Sequence, residues 1–259
     1  MTSAVLRSRS HRVHGARLLV VAVLAGTYEL LARTVLDPLT FVPLSTAVER
    51  AARLLGEGSY RADEVLPTIE QAVAAVAAGS VLGGLLGVVL WRWQVVDRAL
   101  QPWLLLVYAV PIFALYPVFI ALLNPGSLPV IAVATVGAVP AVAVNTAIGL
   151  GRTRPVLGQV GRSFGLGGAQ IVLRVYLPSA WPYVFSGVKL AASYAIVVVI
   201  GTQFILSTHG LGHHIAETYN NFDLEAMYGS VTVALALATF VVVALGALER
   251  RLHHGAVAR

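Results

Sequence analysis

The stretch GQVGRSFGLGGAQIVLRVYLP, residues 158–178, is polar, basic and broken by glycine, yet it lies between two long apolar runs. A segment of this composition reads as a docking element held outside the membrane rather than as a span. Working outward, the flanking runs 128–150 and 181–206 each have the length a helix needs to cross a bilayer, about 20 mostly apolar residues. Runs of the same kind occupy 18–36, 71–90, 99–123 and 230–248. They are continuous rather than alternating, which points to helices and away from a transmembrane barrel. Hydrophobic residues make up 58% of the 259-residue chain and charged ones 12%, a balance outside the range of an ordinary soluble domain. The reading is an all-α integral membrane protein with about six transmembrane helices. A tail at 1–17 precedes a membrane domain at 18–252, which contains the loop 151–180, and a second tail follows at 253–259.

The arginines set an orientation. With a cytoplasmic amino terminus, six spans put Arg92, Arg98, Arg152, Arg154, Arg162, Arg174, Arg250 and Arg251 on the cytoplasmic side, as the positive-inside rule requires. The opposite side receives 207–229, which has no Lys or Arg but carries Glu217, Asp223 and Glu225, and 37–67, where acids balance arginines. The net charge of +6 follows from this topology, and the chain lacks the basic patch that a nucleic-acid reader needs. The first run is expected to be an uncleaved span rather than a signal sequence. No small-x-small cleavage site follows it, and Glu29 and Arg33, one turn apart, interrupt it as a local ion pair. With no cysteine, disulfides and thiol chemistry are excluded.

Between the first two runs, Thr46 and Glu49 have capping-box spacing at the head of VERAARLL, so a short helix is expected there, ending near Gly56 and Gly58. Pro67 then restarts the chain. Gly79, Gly83 and Gly87 recur every four residues in the second span, with Ala75 on the same face, a pattern for close approach of another helix. Pro102, Pro111, Pro117, Pro129 and Pro140 each remove a helix hydrogen bond or mark a boundary, and the freed backbone groups must face protein or a water-filled cavity. In the loop, 159–164 reads as a short helix, 165–168 as a sharp break, and 169–177 as a second helix stopped by Pro178. That second helix is expected to present Ile171, Val172, Val175 and Tyr176 beside Arg174, a face suited either to a partner's groove or to the bilayer surface.

The spacing of Gln159-Val160-Gly161, three residues, Gly165, six residues, Val172, then Val175, Leu177 and Pro178 resembles the EAA loop of importer-type ABC permeases. Gln159 stands where that family has Glu, and Gly161 where it has Ala. The likeness extends from Phe41 to Leu252 and is similar to the nitrate, sulfonate and taurine branch. It runs through Val42-Pro43, Thr68, Val110-Pro111, Pro117, Asn145-Thr146 with Gly149, Trp181-Pro182, Gly187-Val188-Lys189, Gly210-Leu211-Gly212 and Glu249-Arg250-Arg251. The chain departs from the family at Thr202-Gln203, where members often carry an acid, and at Leu123-Asn124-Pro125-Gly126, where they often carry Phe-Gly.

The resemblance implies the type I importer permease fold in a bacterial inner membrane. The partners it implies are a second permease copy, an ABC ATPase dimer that holds ATP and magnesium, and a periplasmic or lipoprotein substrate-binding protein. The docking residues it implies are Gln159, Gly161, Gly165, Ala169, Ile171, Val172, Arg174, Val175, Tyr176, Leu177 and Pro178. Tyr108, Pro111, Asn145, Thr202 and Gln203 are candidate pathway residues, and each is equally readable as packing between helices. Solutes of that branch are small anions; close relatives carry pyrimidine or flavin vitamin precursors.

No cofactor or metal is expected on this chain, and it is not expected to be an enzyme. Lys189 is the only lysine and opens a span, and the Gly165–Gly168 turn lacks the strand and lysine of a phosphate-binding loop. His209, His213 and His214 lie near Glu217, but a solvated outer helix is the favoured reading there over a zinc site. A membrane hydrolase would need a nucleophile and base at membrane depth, and a channel would need repeated polar rings; neither pattern is present.

Overall fold

The computed structural model describes residues 2–37 and 40–257, and every element among them is helical. The long α1 (Thr2–Thr34) leads to α2 (Leu44–Gly56). Next come α3 (Gly58–Tyr60), a π-turn at Arg61–Val65 and α4 (Leu66–Arg92), which run on as one rod. Extended Trp93 separates this rod from α5 (Gln94–Ala109), which is followed by a 3-10 turn at Ile112–Leu115, α6 (Tyr116–Leu123) and α7 (Ser127–Arg152). The loop contributes α8 (Pro155–Ser163) and α9 (Gly168–Ile171), and a second π-turn at Val172–Tyr176 joins α9 to α10 (Leu177–Leu206). Then follow α11 (Leu211–Asn220) and α12 (Leu224–Val257).

Among the described residues four helical rods are long and apolar enough to cross a membrane: Gly58–Arg92, Ser127–Arg152, Gly168–Ile205 and Leu224–Arg251. The expected single span at 99–123 is instead a bent pair, α5 and the 3-10–α6 segment, meeting at 95°. Val110 is extended (φ −94, ψ 137) because the proline ring after it disfavours helical backbone, and Pro111 has no N–H to continue the ladder. Counted as one, the pair makes a fifth candidate span. Of the sixth expected run, 18–36, residues 18–34 belong to α1, which is not among the candidate spans, so the described residues support four or five spans of the six. The boundaries expected at 17 and 252 fall inside continuous helices, and residues 258–259 of the expected tail lie outside the described residues.

The prolines after both π-turns do not stop their helices, which corrects the expectation for Pro67 and Pro178. A proline inside a helix lacks a donor and its ring clashes with the carbonyl four residues back. At both places the residue before the proline bonds five residues back, Leu66 N–H to Arg61 O and Leu177 N–H to Val172 O. The wider turn removes the clash and lets the rod continue. A hydroxyl then follows each proline: Thr68 bonds to Glu64 O at 2.9 Å and Ser179 to Val175 O at 2.7 Å. The carbonyl of Asp63, four residues before Pro67, accepts Gly210 N–H at 3.2 Å.

α7 is the central helix, gripped by α4 on one side and α10 on the other. The four-residue glycine pattern of α4 does what its spacing indicates. A Cβ on Gly79 would lie 2.7 Å from Ala138 Cβ, one on Gly83 2.7 Å from Val139 O, and one on Gly87 2.6 Å from Ala143 O. Backbones this close gain dispersion contact where lipid offers no hydrophobic drive. On the far side of α7, a Cβ on Gly187 of α10 would lie 2.8 Å from Asn145 Cβ. Ala75, Val130, Val133, Ala134, Ala195 and Val199, all with no exposed surface, form the core between the three helices.

The capping box expected at Thr46 does not form. α2 begins two residues earlier behind Pro43, with no side-chain cap. Glu49 pairs instead with Arg53 at 2.9 Å, while Glu29 accepts bonds from Arg33 at 2.6 Å and from the Ser45 hydroxyl at 2.7 Å. That ion pair thus also ties α1 to α2.

Candidate docking loop and pathway residues

α8 and the α9–π segment form a helical hairpin around a turn in which Gly165 has φ +74, a left-handed conformation that suits glycine. The hairpin closes on two further glycines. A Cβ on Gly161 would lie 3.3 Å from Ile171 Cγ1, and Gly158 sits directly against the Tyr176 hydroxyl. Tyr176 also stacks obliquely on Trp91, with ring centroids 5.1 Å apart. The hairpin is therefore locked to the end of α4 as well as to itself. Beside it lies a groove of about 570 Å³ whose walls include Arg92, Arg162, Ala169 and Val172.

This arrangement revises the docking face. Ile171 is buried under Gly161 and Tyr176 is turned inward, so neither heads an exposed face; Val172 and Val175 are half-buried. Gln159, Gly165, Ala169, Arg174 and Pro178 are exposed, Leu177 is half-buried, and Gly161 is buried. Among the exposed apolar side chains are Phe164 at 81%, Leu173 at 63%, Val156 at 59% and Val160 at 47%, none of which the sequence places on the docking face. Phe164 immediately precedes Gly165, and a large aromatic next to a left-handed glycine in an otherwise polar loop was the available signal. Residues 151–180 contain four arginines and no acid. The loop thus offers a basic, aromatic-tipped surface whose supporting residues are packed.

The pathway candidates separate. Tyr108 is 41% exposed at the end of α5, its ring edge-on to Tyr194 at 5.2 Å, and Pro111 is exposed at the break beside it. Asn145 is half-buried, and its amide donates to Ala141 O at 2.8 Å. Thr202 and Gln203 have no exposed surface at all. The Thr202 hydroxyl bonds to Val198 O at 2.6 Å. The Gln203 amide donates to Gln71 Oε1 at 2.9 Å, and its oxygen accepts Gly212 N–H at 3.2 Å with the Thr68 hydroxyl 3.0 Å away. Thr68 in turn accepts Leu211 N–H at 2.9 Å, and Gln71 donates to Ser127 at 3.1 Å. Gln203 is the centre of a buried polar knot tying α4, α7, α10 and the start of α11 together.

The histidines of the outer segment also separate. His213 faces Glu217 at 4.0 Å, and no cluster able to hold a metal is present among the described residues. His214 is not on a solvated face as expected. It packs edge-on against Tyr60 at 5.0 Å, with Nδ1 2.8 Å from the Ser230 hydroxyl, which itself accepts from Tyr60 at 3.1 Å. Burial first, and His213 and Arg50 after it, hold its pKa below the ordinary 6.5, against the opposing pull of Glu217 and Asp223. A histidine with a depressed folded pKa favours the fold when neutral. Its contribution is therefore complete above the ordinary value and is lost as pH falls below it. Relative to His214→Gln, the wild type is expected to lose melting temperature as pH falls below about 6.5, the ordinary histidine value. An equal drop in the variant would place the acid sensitivity elsewhere.

Comparison with known proteins agrees with this geometry. A profile described as binding-protein-dependent transport system inner membrane component matches residues 75–254. A probable ABC transporter permease protein of Brucella melitensis is 25% identical over 92% of this chain and 96% of its own length. The nitrate import permease protein NrtB of Synechococcus elongatus is 24% identical over 61% of this chain, and the match spans only 56% of that protein's length. The formylaminopyrimidine transport permease protein ThiX of Halalkalibacterium halodurans is 24% identical over 67% of this chain and 70% of its own. Among solved structures, an inward-facing conformation of the MetNI methionine ABC transporter superposes with a TM-score of 0.62 over 73% of this chain and 94% of that one, at 20% identity. The all-helical fold is that of a type I importer permease.

Proposed function

Because the chain belongs to the family of binding-protein-dependent transport system inner membrane components, we propose that it forms, with a second copy of itself, the translocation pathway of an ATP-driven importer for a small nitrate-, sulfonate- or taurine-type anion. The loop 151–180 lies in the cytoplasm, docked on an ABC ATPase dimer that binds ATP and magnesium. A substrate-binding protein delivers solute to the opposite face, and this chain carries no catalysis of its own. The observation that carries the reading is the continuity of the docking hairpin with a span: α9, the π-turn and α10 form one rod from Gly168 to Ile205. A displacement of the loop by the ATPase is therefore a displacement of α10. Lys189 on α10 pairs with Glu249 on α12 at 2.5 Å, and Ser186 bonds to the same carboxylate at 3.0 Å, so α12 follows. Nucleotide binding then biases a two-state equilibrium through contacts made at the loop. The pathway is assigned to the surface around Tyr108, Pro111 and Asn145 at the broken span. Thr202 and Gln203 frame it from within the packing.

The anion class is supported by the nitrate permease relatives. A pyrimidine precursor is the second reading, supported by the formylaminopyrimidine permease. Affinity purification of the complex, identification of its associated binding protein and measurement of that protein's ligand decide between them. A chain that purifies with no ATPase, even after crosslinking, would overturn the importer assignment itself.

Arg174 is exposed on the docking hairpin and touches none of its locking contacts. Arg174→Glu is expected to weaken ATPase association about tenfold, since reversing a charge at an interface rim acts mainly on encounter and electrostatic fit. Substrate-stimulated ATP hydrolysis in proteoliposomes measures this, and unchanged stimulation would remove Arg174 from the interface.

A further inference from the structure

The loop end holds a second polar feature that docking does not use. Where α7 ends, α8 begins and α10 makes its first turns, there is a cleft of about 250 Å³ lined by Arg152, Thr153, Arg154, Leu157, Ser179 and Tyr183. The Arg152 guanidinium stacks over the Tyr183 ring at 5.5 Å and donates to its hydroxyl at 3.2 Å. That contact fixes Arg152 and leaves the Tyr183 proton free to donate. Among the described residues no carboxylate pairs with Arg152 or Arg154, and the loop has no acid to supply one. The hydroxyls of Thr153 and Ser179 point their protons at Gly149 O and Val175 O. The donors turned to the cleft are thus two guanidinium groups and one phenol, a set that fits an oxyanion of phosphate type.

The surroundings say where that oxyanion comes from. Leu157, 40% exposed, forms one wall of the cleft, and Trp181, 49% exposed, lies on the same first turns of α10 as Tyr183. Exposed tryptophan on a span beside arginines is the composition of the membrane–water boundary. An apolar neighbour suits an acyl chain rather than a free ion, and basic pockets between transmembrane helices on the cytoplasmic side suit lipid headgroups. We propose that this cleft binds the phosphate of an anionic phospholipid of the inner leaflet, through Arg152, Arg154 and Tyr183. The proposal rests on the cytoplasmic placement of the loop given above. Because the cleft joins Arg154 and Leu157 at the start of α8 to Ser179 and Tyr183 on α10, a bound headgroup braces the docking hairpin against the span that it drives.

Native mass spectrometry of the detergent-solubilised chain, titrated with phosphatidylglycerol or phosphatidylcholine, tests this. The wild type is expected to retain phosphatidylglycerol preferentially, and the double variant Arg152→Gln, Arg154→Gln to lose that preference by roughly tenfold or more. Tyr183→Phe removes one donor without a charge and should cost roughly threefold. Arg98→Gln, outside the cleft, should leave retention unchanged, and monodisperse elution verifies that each variant is folded. Equal retention by the wild type and the double variant overturns the proposal, as does displacement of the lipid by inorganic phosphate, which would make this a free-anion site. Orientation is read separately. The chain has no native cysteine, so Gln159→Cys should react with an impermeant maleimide only in inside-out vesicles. Labelling from the opposite side would overturn the cytoplasmic placement and with it the inner leaflet as the lipid's source, separately from whether the cleft retains phosphatidylglycerol.

Discussion

Gln203→Leu is expected to lower the melting temperature of the detergent-solubilised chain by roughly 6–12 °C, corresponding to a loss of about 3 kcal/mol. Leucine nearly matches glutamine in volume, so the loss comes from hydrogen bonding rather than from a cavity. It strands Gln71 Oε1 and Gly212 N–H and removes the acceptor beside the Thr68 hydroxyl, all in a region with no solvent access. A buried polar group left without a partner costs about 1–3 kcal/mol. Interhelical hydrogen bonds in membranes average nearer 0.6 kcal/mol, because the unfolded chain in lipid also finds partners. The Gly212 N–H has less freedom to find one: glycine there lies against Ile200 O and Gln203 Cβ, and Gly210 before it is held at φ +105. Gln203→Glu, as the neutral acid that burial favours, keeps an acceptor oxygen and an O–H donor toward Gln71 Oε1, so at acidic pH it should fall between wild type and leucine. If Gln203→Leu melts as the wild type does but changes which solute is transported, Gln203 belongs to the pathway and the knot is incidental.

What could be read from the sequence follows from how local the signal was. The spans needed only composition and length, and the α4 glycines needed only a four-residue period, so both were legible. Pro111 was legible as a break but not as a 95° bend, because the angle depends on what α5 and α6 pack against. Pro67 and Pro178 misled for a different reason. A proline stops a helix when the ladder keeps its four-residue register, and nothing local announces that five residues upstream will widen into a π-turn. Gln203 was ambiguous because a buried amide and a pathway amide have the same letter, and its partners lie 132 and 135 positions away in sequence. In the loop, the family resemblance makes Gly161 both a docking residue and a departure from the pattern, and neither reading says that it is buried. The structure gives the departure a cause: a small residue at 161 and another at 158 receive Ile171 and Tyr176, which is why those two side chains point inward and Phe164 and Leu173 do not.

That inversion of the hairpin sets the other large expected effect. Phe164→Asp is predicted to abolish stable association with the ATPase while leaving the chain folded, because Phe164 is 81% exposed and supports nothing inside the permease. Full burial of a phenylalanine side chain in a partner's groove is worth about 1.5–3 kcal/mol, and placing a carboxylate in that apolar groove adds a desolvation cost of several kcal/mol. At tenfold in the association constant per 1.4 kcal/mol, these together amount to at least about a thousandfold. The acid also introduces a negative charge into a loop, 151–180, that carries four arginines and no acid. Gly165→Val should weaken association by another route. It forces a β-branched residue to φ +74, at a cost of about 1–2 kcal/mol, and tilts the tip without changing its chemistry. The two mechanisms separate on rescue: Phe164→Leu should restore most of the association, since an apolar side chain returns to the groove, whereas Gly165→Asn should outperform Gly165→Val because asparagine tolerates left-handed backbone. Co-elution of the ATPase with each variant on size exclusion measures this. Full co-elution of Phe164→Asp would move the docking surface off the hairpin tip and onto the groove beside Arg162 and Val172, an exposed concavity on the same hairpin.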